Sequence, residues 1–139
     1  MYILKTKHSF DSAHFLSGYK GKCANIHGHR WEVEIEVQSM DLVNGGQCDG
    51  MIVDFSDLKG DLREVVDHLD HALIVQEGTM RKETLEHLLF DGFKVISLPF
   101  RPTAENLAYY FFQRILERGY DVKKVTVYET PTNAAVYER

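Results

Sequence analysis

The chain has 139 residues, is 44% hydrophobic and 27% charged, and carries a formal net charge of −5. That balance suits a single soluble domain over residues 1–139 with a fair-sized core, and it excludes a general nucleic-acid binder, which needs cations for the phosphate backbone. Two cysteines are too few for a disulfide framework, no apolar run approaches a membrane span, and the N-terminal Met-Tyr-Ile-Leu-Lys lacks a signal-peptide pattern, so a cytoplasmic setting with reduced thiols is expected.

The first segment, Tyr2 to about Phe15, reads as a strand with Phe10, Ser12 and His14 on one face. A polar loop over residues 17–22 leads into Cys23-Ala-Asn-Ile-His27-Gly-His29-Arg-Trp31. From His29 to Met40 large apolar and acidic residues alternate, the period of a half-buried strand. His27 and His29 share parity with Trp31, Val33, Ile35 and Val37, so both imidazoles open the inward side, while Arg30, Glu32, Glu34 and Glu36 face the other way. Asn44-Gly45-Gly46 signals a turn, from which a short strand, Met51 to Val53, is expected to return as an antiparallel hairpin.

A helix starts at Asp54-Phe-Ser-Asp57, capped by Asp54 or Ser56, with Phe55, Leu58, Leu62, Val65, Val66 and Leu69 on one face and an end near Asp70-His71. Residues 72–101 show the weakest pattern, with a short helix over Thr84–Phe90 and a short strand over Phe93–Leu98 as candidates. A second long helix opens at Pro102-Thr103, with Thr103 as N-cap, Leu107, Tyr110, Phe111, Ile115 and Leu116 along it, and Gly119 as its stop. Strands over Lys123–Thr130 and Ala134–Glu138 flank a turn at Pro131-Thr-Asn133. Helices between antiparallel hairpins predict an α+β fold, a four-stranded antiparallel sheet with two helices on one face in the order β-β-α-α-β-β, with an insert between the helices.

Catalytic zinc sites use three protein ligands and keep a position open. His27 and His29 supply two, and His14 is the best third because an antiparallel pairing of the first two strands brings it to the His-Gly-His end. Gly28 leaves room there for close approach of another group. The competing reading makes the two histidines solvated residues at a strand entry. Cys23 is open to three roles: a fourth ligand, a reactive thiol in a cationic setting beside Lys22, or an inert small residue. In Asp70-His71 the carboxylate can orient the imidazole for proton transfer, against the alternative of a histidine that merely suits a helix C-terminus. Glu129 shares a face with Val125 and Val127, and an acid there needs a partner: the paired donors of an amino-pyrimidinone ring, or a salt bridge. Glu105 in the first turn of its helix is explained by the dipole alone.

Together these landmarks are strong. Ala13-His14, Cys23-x3-His27-Gly28-His29, Val53-Asp54-Phe55, Leu69-Asp70-His71, Pro102-Thr103-x-Glu105-Asn106, Glu129-Thr130 and Ala135-x-Tyr137 stand in this order over nearly the whole chain. In them the chain resembles the 6-pyruvoyl-tetrahydropterin synthase / 6-carboxy-tetrahydropterin synthase family, zinc enzymes of the tunnelling fold. The resemblance implies Zn²⁺ on His14, His27 and His29, Cys23 as catalytic base, Asp70–His71 as its partner dyad, and Glu129 as the anchor of the pterin ring. Thr103 and Glu105 join it as substrate contacts, and Lys22, Arg30 and Lys20 become candidates for a triphosphate. It also implies a homohexamer of two stacked trimers with active sites between subunits. The three residues between Cys23 and His27 match the branch that makes 6-carboxy-tetrahydropterin from 7,8-dihydroneopterin triphosphate in queuosine biosynthesis; the pyruvoyl-forming branch is the alternative. Residues 75–100 are longer than the connection in compact members, and such a loop is often functional.

Overall fold

The computed structural model describes residues 1–139. Six strands form one mixed sheet: β1 (Tyr2–His14), β2 (His27–Ser39), β3 (Ala72–Gln76), β4 (Val95–Leu98), β5 (Val122–Thr130) and β6 (Asn133–Glu138), in the spatial order β4-β3-β1-β2-β5-β6. Three α-helices accompany them: α1 (Phe55–Asp67), α2 (Lys82–Phe90) and α3 (Ala104–Leu116).

The long hairpin of β1 and β2 is the backbone of the molecule. Its antiparallel register runs from Tyr2 opposite Ser39 to His14 opposite His27, with Phe10 against Trp31 and Ser12 against His29. One face therefore carries Phe10, Trp31, Val33, Ile35 and Val37, and α1 and α3 pack over it through Leu58, Leu62, Val66, Leu107, Phe111 and Ile115. Phe10, Trp31 and Phe111 are fully enclosed, each worth about 1.5–3 kcal/mol of burial. The opposite face is laced with charge pairs, Lys5–Glu34, Lys7–Glu32, Arg30–Asp11 and Lys124–Glu36, as the alternation of β2 requires.

Both long helices start where side-chain oxygens can cap them. Asp54 accepts from the Ser56 N–H at 2.7 Å, and Thr103 accepts from the Asn106 N–H at 3.2 Å. α1 ends at Asp67, short of Asp70-His71, and Phe55 points outward, 60% exposed. In α3, Ala108 and Phe112 are buried while Tyr110 and Leu116 sit at the core margin.

The sheet departs from the expected four antiparallel strands. β3 adds to β1 in parallel, Ser12 opposite Ala72, and β4 adds to β3 in parallel, Leu73 opposite Val95. The insert is thus two strands joined by the third helix, α2, which begins at Lys82 and buries none of its residues. The expected strand over Met51–Val53 does not form. Gly45, Gly46 and Gly50 all adopt positive φ, and the loop bonds to itself through Val43 N–H to Met51 O and Gly50 N–H to Val43 O.

Candidate metal centre and active site

The hairpin register delivers three imidazoles to one point. His14 closes β1, His27 opens β2 opposite it, and His29 lies one inward position further on. Ligand atoms of His14, His27 and His29 all lie within 4.8 Å of one another. His14 is buried, and its Nδ1 sits 2.7 Å from the Pro102 carbonyl; the Nδ1 of His27 sits 2.6 Å from the Asn25 carbonyl. A carbonyl only accepts, so both Nδ1 atoms carry a proton, which leaves the Nε2 of each ring as its ligand position. The Nε2 atoms of His14 and His29 are buried without a hydrogen-bond partner. Three converging imidazoles, with carbonyls fixing two tautomers and two Nε2 atoms unpaired, fit a cation of the zinc class.

Burial holds both His14 and His29 below the ordinary imidazole range. At His14 the Pro102 carbonyl and Glu129 oppose the shift, while His27 and His29 reinforce it; at His29, Glu129 opposes and His27 reinforces. In the metal-free protein these rings bind fewer protons than in the unfolded chain. Their contribution to stability is therefore present above about pH 6.5 and lost as pH falls through the folded values. Urea titrations of metal-free protein are expected to give a lower midpoint at pH 5.5 than at pH 7.5. Saturating zinc, which competes with protons for the same nitrogens, should narrow that difference.

Glu129 reaches this cluster from β5. One carboxylate oxygen lies 3.4 Å from His14 Nε2 and 3.6 Å from His29 Nε2, beside two of the three imidazoles. The register shift between Tyr128 and Thr130 gives β5 an irregularity at this residue. A cavity of about 620 Å³ opens next to it, lined by Gly28, His29, Arg30, Tyr128, Glu129 and Thr130. A smaller one of about 200 Å³ joins Glu129 to Thr103 and Glu105 at the start of α3. The Thr103 hydroxyl oxygen is already engaged as the helix cap.

Cys23 lies in a single 3-10 turn, Lys22–Ala24, on the loop between His14 and His27. It is a free, half-buried thiol, held in place by the Leu16 N–H bonding its carbonyl at 2.9 Å. Its sulfur is not part of the histidine cluster. The arrangement is an open three-histidine set with a thiol nearby, and a closed four-ligand site is not formed.

Asp70 and His71 belong to a second cluster, with Asp11. The Asp11 N–H donates to Asp70 Oδ1 at 2.9 Å, the His71 N–H donates to the Asp11 carbonyl at 2.7 Å, and Asp70 Oδ2 lies 3.0 Å from His71 Nδ1. Burial alone would raise the Asp70 pKa, but the Asp11 N–H and the His71 imidazole outweigh it and hold the carboxyl below its usual range. The carboxylate fixes the Nδ1–H tautomer, which leaves His71 Nε2 free for proton transfer. His71 is the sole non-glycine residue at positive φ, 52°, a conformation that costs about 1–3 kcal/mol and concentrates at functional sites.

Parity separates the two clusters. Asp11 pairs with Arg30 across the outer face, whereas Ser12, His14 and His29 lie on the helix-covered face. A cavity of about 760 Å³ is lined by Asp11, Arg30 and His71 together with Phe93 and Lys94 of the insert, and His29 of the histidine cluster reaches its wall. Arg30 lines both this cavity and the one beside Glu129, and Lys22 stands beside Cys23 in the loop. Gly28 does not make room for a close neighbour within the chain, because a Cβ there would sit at an ordinary 3.8 Å from the Ser12 carbonyl; it lines both large cavities instead. The carbonyls of Pro102 and Asn25 and the Asp11 backbone have no recognisable sequence signal, since backbone groups carry no residue identity.

The model of the family described as 6-pyruvoyl tetrahydropterin synthase matches residues 3–139. A Haemophilus influenzae protein named 6-carboxy-5,6,7,8-tetrahydropterin synthase is 36% identical over 141 residues, covering 99% of each chain. A Synechocystis protein of the same name is 34% identical and covers 99% of this chain and 93% of its own. Among solved structures, an uncharacterized protein from Wolinella succinogenes superposes with a TM-score of 0.80 at 20% identity, over 99% of this chain and 98% of its own. Caenorhabditis elegans 6-pyruvoyl tetrahydropterin synthase gives 0.69 at 24% identity, over 99% and 95%. Matched from its third residue to its last, the chain belongs to the 6-pyruvoyl tetrahydropterin synthase family.

Proposed function

We propose that the protein is a zinc-dependent lyase that converts 7,8-dihydroneopterin triphosphate and water to 6-carboxy-5,6,7,8-tetrahydropterin, with loss of acetaldehyde and triphosphate, within queuosine (7-deazaguanine) biosynthesis. The observation that carries this reading is the open three-histidine cluster with a half-buried thiol on the loop that joins two of its members. Full-length relatives named for the carboxy product support the branch.

His14, His27 and His29 hold zinc, which when bound supplies Lewis-acid polarisation of the substrate's side-chain oxygens. Cys23 is the base that removes a proton from the substrate side chain. His71, oriented by Asp70, returns or removes a proton through its free Nε2. Glu129 takes the two parallel donors of the amino-pyrimidinone edge, beside Thr103 and Glu105. Lys22, Lys20 and Arg30 are the cations offered to the triphosphate.

The working site is assembled from more than one copy, a reading supported by Asp11, which grips the dyad, facing away from His14 on β1. His71, 78% exposed, meets the metal centre of a neighbour in a homohexamer. Open edges at β4 and β6, and exposed Leu89, Phe90 and Phe93, suit that association.

Incubating zinc-loaded protein with dihydroneopterin triphosphate is expected to release acetaldehyde and a carboxy-pterin. A 6-pyruvoyl product would assign the chain to the other branch, and an unconsumed pterin would overturn the reading.

A further inference from the structure

We propose that Lys94, supplied by the insert, is a positioning residue that holds Asp70–His71 in its working geometry. The inference rests on the reading of Asp70–His71 as the proton-transfer pair. The Lys94 ammonium donates to the Asp70 carbonyl at 2.9 Å and to the Asp67 carbonyl at 3.1 Å, spanning the stretch between the end of α1 and the dyad. Its own backbone is fixed by the Leu73 N–H, which bonds the Lys94 carbonyl at 3.0 Å just before β4 runs alongside β3. The ammonium therefore approaches the dyad from one side while Asp11 grips it from the other.

This arrangement meets a specific need. His71 is held at φ 52°, and the peptide linking it to Asp70 is the one whose carbonyl Lys94 binds. Asp11 fixes the Asp70 carboxylate and the His71 N–H but makes no contact with that carbonyl. Without Lys94 that peptide is held at its N–H end alone, by the Asp11 carbonyl, and the His71 ring loses part of its set relation to Asp70 Oδ2. A charge-assisted bond from a side chain just before β4 adds a second hold on that peptide. The path from Gln76 through α2 to β4 brings Lys94 here, which gives the longer connection a purpose: α2 buries nothing itself and serves to return the chain parallel to β3.

Lys94→Met is expected to lower kcat about ten- to a hundredfold with KM within about twofold, the scale of a slightly misplaced reacting group. Zinc content should stay unchanged. In nitrogen-15 spectra of the imidazoles, the His71 Nδ1–H signal of the Asp70-bonded ring should broaden or disappear. Lys94→Arg, which keeps the donors and the charge, should restore both kcat and that signal. Lys82→Met, an exposed insert lysine paired only with Glu86, should change neither. If Lys94→Met leaves kcat and the His71 signal as they were while His71→Asn abolishes turnover, the positioning role is overturned and the dyad stands. If His71→Asn turns over normally, the dyad reading itself fails. An equal loss in Lys82→Met, or a Lys94→Arg protein as poor as Lys94→Met, would also overturn the proposal.

Discussion

Cys23→Ala protein is expected to bind zinc as the unaltered chain does and to turn over dihydroneopterin triphosphate about a hundred- to ten-thousandfold more slowly, the contribution of a positioned base. The sulfur stands outside the histidine cluster, so its loss removes no ligand. The loop keeps its shape because the bond that fastens it, Leu16 N–H to the Cys23 carbonyl, is made by the backbone. His27→Ala should behave differently. It removes one of three ligands, and zinc affinity should fall by more than the roughly ten- to hundredfold that losing an outer-sphere partner produces. Metal analysis beside product formation separates the two variants. Cys23→Ala protein that loses zinc and melts early would make Cys23 a structural ligand and end its assignment as base.

The second large effect is a gain. Cys23→Ala and His71→Asn chains, each inactive alone, are expected to recover activity when dissociated, mixed in equal amounts and reassembled. If each site draws its thiol from one copy and its imidazole from another, roughly a quarter of the sites in a random assembly hold both intact groups. A site built within one chain recovers none. The expectation follows from the register of β1: Asp11, which grips the dyad, faces away from Ser12 and His14, which flank the metal centre. Continued inactivity of the mixture, with mixed assemblies verified by mass, would place the whole site in a single copy.

The histidine cluster was legible because strand parity is a strict geometric rule. Two residues of spacing on β2 put His27 and His29 on one face, and a single hairpin then leaves His14 nowhere else to go. The caps at Asp54 and Thr103 were legible for a local reason, since each serves an N–H two or three residues on. β3 was not. Ala72-Leu-Ile-Val-Gln76 shows no alternation, and its neighbours, β1 and β4, are parallel strands distant in sequence, so no turn announces the pairing. The expected strand at Met51–Val53 failed for the opposite reason, because local turn chemistry at three glycines outweighed three apolar residues. Glu129 was correctly read as an acid on an inward face, yet imidazoles as its neighbours required the irregularity in β5, which no periodicity reveals.

The carbonyl partners of His14 and His27 would give an ion held by the cluster a reach beyond its own ligands. His14 ties the end of β1 to Pro102, the residue before the cap of α3, and His27 ties the start of β2 to Asn25 in the thiol-bearing loop. Fixing the imidazoles would therefore fix two segments that share no strand, one presenting Cys23 and the other Thr103 and Glu105. A cation held there would act as a fastener that sets the spacing of the pocket's walls, so its removal would cost the protein a shape as well as an electrophile.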